Sequence, residues 1–87
     1  MKTLEQIGTD WAMSYINSGC DEAMIDLGDN SALEDCILTA GEEHRELIKD
    51  NMSDIESAAK ETFENNGWIA KSEYCFVPLD IANGERF

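Results

Sequence analysis

Apolar residues recur at helical spacing through most of this chain and change to alternation near its end. Leu4, Ile7, Trp11 and Tyr15 fall three and four residues apart behind Thr3-Leu4-Glu5-Gln6, a capping-box spacing, until Ser18-Gly19 interrupts them. The pattern predicts a first helix there. Asp21 to Leu27 reads as a short second helix with Ala23, Met24 and Leu27 inward, ended by Gly28-Asp29-Asn30. A second capping box, Ser31-Ala32-Leu33-Glu34, opens a stripe of Leu33, Cys36, Ile37, Ala40, His44, Leu47 and Ile48. Gly41 is the weak point of that helix, costing about 1 kcal/mol relative to alanine, and marks a place for a break or bend. A third box, Ser53-Asp54-Ile55-Glu56, leads Ile55, Ala58, Ala59, Thr62 and Phe63 to a stop at Asn66-Gly67, where Trp68 is placed to pack back on Phe63.

From Trp68 to Val77 the period is two, with Trp68, Ala70, Tyr74 and Phe76 on one side and Lys71 and Glu73 on the other. An extended segment follows from that alternation, and Pro78 restricts it to an edge or an end. It can lie over the helices, pair in a short hairpin, or pair with its copy in a homodimer. Asn83-Gly84 is a further turn signal close to the end. The fold class is mainly α: a small bundle of three to four helices with a short extended C-terminal segment. At 87 residues the chain has material for one domain, 1–87, with one core. Trp68, Tyr74, Phe76 and Phe87 serve as the lid of that core, in preference to an interface cluster.

Composition changes the picture through charge. Apolar residues make up an ordinary 43%, but 19 acids face 6 bases for a net charge of −13. Such a field attracts basic surfaces and repels nucleic acid and anionic lipid, so direct nucleic-acid or membrane contact is not expected. The charge is also unevenly placed. No basic side chain stands between Lys2 and Arg45, whereas ten acids do.

If the third helix is unbroken, Asp35, Glu42, Glu46 and Asp50 lie opposite its apolar stripe as a ridge about 22 Å long. Asp21, Glu22, Asp26 and Asp29 extend it on one side, and Glu34 and Glu43 flank it. A line of carboxylates at that spacing imitates the phosphates of a nucleic-acid strand. These ten acids are the candidate partner-binding residues, and the expected partner is a basic protein surface of the kind that holds DNA or RNA. The plainer reading is a solvated helical face. It suits residues 45 to 64, where Arg45 and Lys49 can pair with Glu42 and Glu46 while Glu56, Lys60 and Glu64 form a ladder.

Catalytic and metal chemistry have less support. His44 lies on an apolar stripe, with no hydroxyl or thiol at three or four residues to activate, so it reads as a core-margin residue. A zinc site would need Cys20, Cys36, His44 and Cys75 to converge without any Cys-x-x-Cys pair. Three cysteines at wide spacing are expected as reduced thiols. The acids of 26–35 lack the alternation and central glycine of a calcium loop. No enzyme activity, metal or cofactor is expected. The opening residues hold no unbroken apolar run for a leader or span, which makes the cytoplasm the expected location.

Two resemblances extend this reading. Residues 26–33, Asp-Leu-Gly-Asp-Asn-Ser-Ala-Leu, resemble the Asp-Leu-Gly-x-Asp-Ser-Leu stretch of acyl carrier proteins, with Asn30 before the serine and Ala32 inserted after it. That resemblance implies a carrier with phosphopantetheine attached at Ser31. In general character, a short and strongly acidic chain with capped helices and no catalytic signature, the protein resembles phage-encoded inhibitors that mimic nucleic acid, including anti-CRISPR and anti-restriction proteins. This second resemblance implies a mechanism. Carboxylates dock on the lysines and arginines of a nucleic-acid channel in the host cytoplasm and exclude DNA or RNA.

Overall fold

The computed structural model describes residues 2–80. Among these residues the order is α1 (Leu4–Asn17), β1 (Ala23–Met24), α2 (Asn30–Ala40), a 3-10 turn (Glu42–His44), α3 (Arg45–Asp50), α4 (Met52–Asn65), β2 (Trp68–Ser72) and β3 (Cys75–Pro78). The fold is mainly helical, with a small antiparallel sheet in the order β1-β3-β2. No helix of the described residues is long and apolar enough to cross a membrane. Asn83-Gly84 and Phe87 lie outside the described residues.

The first helix starts as its caps dictate. Thr3 Oγ1 accepts the Gln6 N–H at 3.1 Å, and Ile7 and Trp11 are buried along the inward stripe. Helix α1 packs on α4 at close range because Gly8 has no side chain: a Cβ there would sit 2.5 Å from the Ile55 carbonyl oxygen and 2.6 Å from the Ala58 Cβ. Phe63 of α4 is fully buried, its ring 4.9 Å from Trp68 and 5.3 Å from Phe76. This cluster joins helices to sheet. Trp68 and Phe76 are therefore core residues, as expected of a lid, while half-buried Tyr74 has the Lys60 ammonium 5.1 Å from its ring centre.

The structure corrects two expectations, the short second helix and two of the capping boxes, and decides two points that the sequence leaves open. Asp21 to Leu27 is extended instead of helical. Ala23 pairs with Phe76 and Met24 with Cys75, and the Ile25 N–H donates to the Tyr74 carbonyl at 2.8 Å. Ala23, Ile25 and Leu27 point inward, and Met24 is half exposed. Seven residues admit either period, and the edge of β3 selects alternation.

The Trp68–Val77 run is two strands, β2 and β3, joined through Glu73-Tyr74, so the extended segment pairs within its own hairpin. Buried Cys75, Phe76 and Val77 occupy the central strand, where alternation gives way to a continuous run.

The long third helix breaks at Gly41, whose φ of +110° only glycine adopts without strain, and the chain resumes through the 3-10 turn into α3. Two capping boxes are replaced as well. Asp29, two residues before Ser31, caps α2 by accepting the Ser31 N–H at 2.8 Å. Glu56 does not reach back to Ser53. It accepts the Leu27 N–H at 2.7 Å, a tie from α4 to the loop before α2.

Candidate functional site

Helix α2 turns Ala32, Cys36, Ile37 and Ala40 inward and leaves Ser31, Glu34, Asp35 and Leu38 exposed. At 100° per residue those four share one face, an arc of about 100°. The loop before α2 is built by short carboxylates. Asp26 Oδ1 accepts the Gly28 N–H at 2.9 Å, and the Asp29 cap then sets the helix start.

Asp35 is held by a relay from the core. The Trp11 indole N–H donates to the Tyr15 hydroxyl at 3.1 Å, and that hydroxyl donates to Asp35 Oδ2 at 3.2 Å. Burial pushes the Tyr15 phenol up to about 12, and the Asp35 charge adds to the shift, so the tyrosine keeps its proton and remains a donor. One carboxylate of the face is thereby tied to α1.

Arg45 grips two others. Its Nη1 and Nη2 donate to the two Glu34 oxygens at 3.0 and 3.2 Å, while Nε and Nη2 donate to Glu42 at 2.6 and 3.0 Å. These bonds hold the Glu42 carboxyl below the usual carboxylate range and push the guanidinium further up. Lys71 lies 3.4 Å from Glu22, and Lys2 lies 3.1 Å from Asp10. The stretch that lacks bases along the chain therefore receives them through space, which corrects the view that all its acids are uncompensated. Asp21, Asp26, Asp29, Asp35, Glu46 and Asp50 hold no ion pair among the described residues.

The break at Gly41 also divides the expected ridge. Asp35 stands on α2, Glu42 and Glu43 in the 3-10 turn, and Glu46 and Asp50 on α3, so no single helix carries them. Of the helical ion pairs expected among Glu42, Arg45, Glu46 and Lys49 one forms, and the Glu56–Lys60–Glu64 ladder does not form among the described residues. Arg45 meets Glu42, but Lys49 and Lys60 make no ion pair among the described residues.

Where α1 ends against β1 and the start of α2, an open pocket of about 340 Å³ gathers Glu22, Asp29 and Asp35 around Tyr15, Cys20 and Met24, with Ser31 at its wall. Four residues singled out from the sequence thus meet at one place. Tyr15, Cys20, Met24 and Leu38 were not among them. For Leu38 the signal was available, since its helical angle sets it among Glu34 and Asp35 and off the apolar stripe.

His44 is buried. Its Nε2 accepts the Lys2 backbone N–H at 3.5 Å, and its Nδ1, 3.6 Å from Glu43 Oε1, has no hydrogen-bond partner among the described residues. No group of His, Cys, Asp and Glu able to hold a metal ion is present among the described residues. Cys36 and Cys75 are buried, and burial pushes the Cys36 thiol up to about 12. Cys20 alone reaches the pocket, with its Sγ 3.0 Å from Ser18 Oγ. Titration of the native protein with an aromatic disulfide should accordingly label Cys20 quickly and the other two only at the rate of unfolding. A second fast thiol would contradict the burial.

Compared with protein-family models, curated proteins and solved structures, the chain matches none.

Proposed function

We propose that this protein is a non-enzymatic acidic binder that occupies a basic, nucleic-acid-binding surface of another protein and thereby inhibits it. The observation that supports this most is the exposed outer face of α2. There Asp35 is fixed by Tyr15 and, like Asp29, holds no ion pair among the described residues, and both line an open pocket. Carboxylates that are held in place lose little freedom on docking, and the −13 charge steers a cationic partner toward them. Asp21, Glu22 and Asp26 before α2 and Glu34, Glu42, Glu43, Glu46 and Asp50 around and beyond it widen the acidic surface.

Immobilised protein tests the reading. Proteins captured from host lysate at low salt should be nucleic-acid binders, released by added duplex or single-stranded DNA. Their affinity should fall at least about tenfold between low and high salt. A variant with Asp35, Glu42 and Glu46 changed together to serine should capture little. Capture that ignores salt, DNA and that variant would refute it.

One observation keeps a second reading in play. Ser31 is exposed at the start of α2, one residue after the capped turn begins, and borders the pocket. A carrier protein needs its attachment serine in such a place. Incubation with coenzyme A and a broad-specificity phosphopantetheinyl transferase should then add a mass that Ser31→Ala abolishes, and an unchanged intact mass removes the carrier reading.

A further inference from the structure

Leu38 is 83% exposed, well above the other exposed large apolar residues among the described ones, Met24 at 50%, Leu79 at 47% and Ile69 at 37%. A single apolar residue in water is ordinary on a protein surface. The setting of this one is not. It stands on the outward face of α2 with Glu34 and Asp35 on the turn before it, and Arg45 bridges Glu34 to Glu42 just beyond the helix end. An apolar side chain beside Asp35, which holds no ion pair among the described residues, and the Glu34–Arg45–Glu42 cluster, which stays net negative, has the arrangement of an anchor with a mainly acidic rim.

We infer that the α2 face is a protein-docking surface centred on Leu38, and that its partner presents an apolar patch flanked by lysine and arginine. This rests on the acidic-binder reading above and makes it more specific. Charge decides the occupant. A second copy of this chain meeting the same face would bring Glu34 and Asp35 against their own duplicates, on two bodies that each carry −13. Nucleic acid and anionic lipid are repelled by the same field. A protein with a cationic rim gains from the carboxylates, and its apolar centre covers a leucine that α2 leaves in water. Shape agrees, because a side chain this exposed on a helix projects and fits a recess. Recognition would therefore combine a salt-sensitive part from the acids with a salt-insensitive part from Leu38, which pure phosphate mimicry lacks.

Two synthetic probes separate these parts: an amphipathic leucine–lysine helical peptide and an oligolysine of equal charge. Each is titrated calorimetrically at low salt into wild type, Leu38→Ser and Leu79→Ser, with amide chemical shifts locating the contact. Both substitutions are at exposed positions, and circular dichroism checks that the variants stay folded. The leucine–lysine peptide should bind wild type and Leu79→Ser alike but Leu38→Ser about tenfold more weakly, the value of burying one leucine side chain. Oligolysine should not distinguish the three, and the shifts should centre on residues 31–42.

If both peptides bind wild type equally and Leu38→Ser changes neither, this inference fails while the acidic-binder reading survives. If neither peptide binds, both fail. Self-association of wild type that Leu38→Ser abolishes would overturn the partner assignment in favour of a second copy.

Discussion

Phe63→Ala should remove about 3–5 kcal/mol of stability, the usual cost of deleting a fully buried phenylalanine. Small domains have about 5–15 kcal/mol in all, so this one substitution takes a large part of the total. The position explains the size. Phe63 is 0% exposed and touches three further rings, Tyr15 at 6.4 Å, Trp68 at 4.9 Å and Phe76 at 5.3 Å. These rings belong to α1, β2 and β3, so the cavity would open where both helices and sheet meet, and the surroundings cannot collapse from one side alone. In a domain of this size each kcal/mol moves the melting temperature by about 4–8 °C, which predicts a fall of roughly 12–40 °C. Thermal and urea unfolding followed by circular dichroism measures it. A loss below about 1 kcal/mol would mean that the aromatic cluster is not the joint between layers.

Gly8→Leu should rank next, at about 3 kcal/mol, because the neighbours of its missing side chain are mostly backbone. The Ile55 carbonyl oxygen at 2.5 Å and the Ala59 nitrogen at 3.2 Å belong to the α4 main chain and cannot rotate away. The helices would have to separate, and the apolar stripes of Ile7, Trp11, Ile55 and Ala59 would part with them. Gly8→Ala sets two effects against each other. Alanine gains about 1 kcal/mol of helix propensity over glycine, while its Cβ meets the same two α4 backbone atoms and the Ala58 Cβ. The clash should win, leaving Gly8→Ala less stable than wild type by about 1 kcal/mol. An alanine variant that melts at or above the wild-type temperature would contradict the close packing of α1 on α4.

Both substitutions bear on the candidate site through one residue. Tyr15 stacks on Phe63 and donates to Asp35, so loosening the α1–α4 joint should also release the carboxylate at the centre of the acidic face. Loss of binding in these variants would be indirect, whereas Leu38→Ser acts at an exposed side chain and leaves the core alone.

The helical part of the fold was legible because it is written locally. Thr3 caps α1, the stripes of α1, α2 and α4 mark their buried faces, and Gly41 breaks the middle of the chain, each within a few residues of its cause. Contact of Trp68 with Phe63 across the Asn66-Gly67 stop was legible for the same reason. Of the candidate site, the acids were visible as charge, but their arrangement was not. Arg45 reaches back to Glu34 and Lys71 to Glu22, so pairs that spacing along the chain rules out are made by folding. Leu38 belongs to no apolar stripe, and its meaning comes from facing outward.

The sequence by itself determined a mainly helical chain, both ends of α1, the C-terminal end of α4 and a strong negative field, since capping, amphipathic spacing and net charge need no distant partner. Only the tertiary structure decided that Ala23–Met24 is a strand, that Glu56 holds Leu27, and that Glu22, Asp29, Ser31 and Asp35 line one pocket. A short segment between Asp21 and Leu27 cannot stabilise its own helix, so its backbone takes the hydrogen bonds that β3 offers from some fifty residues away.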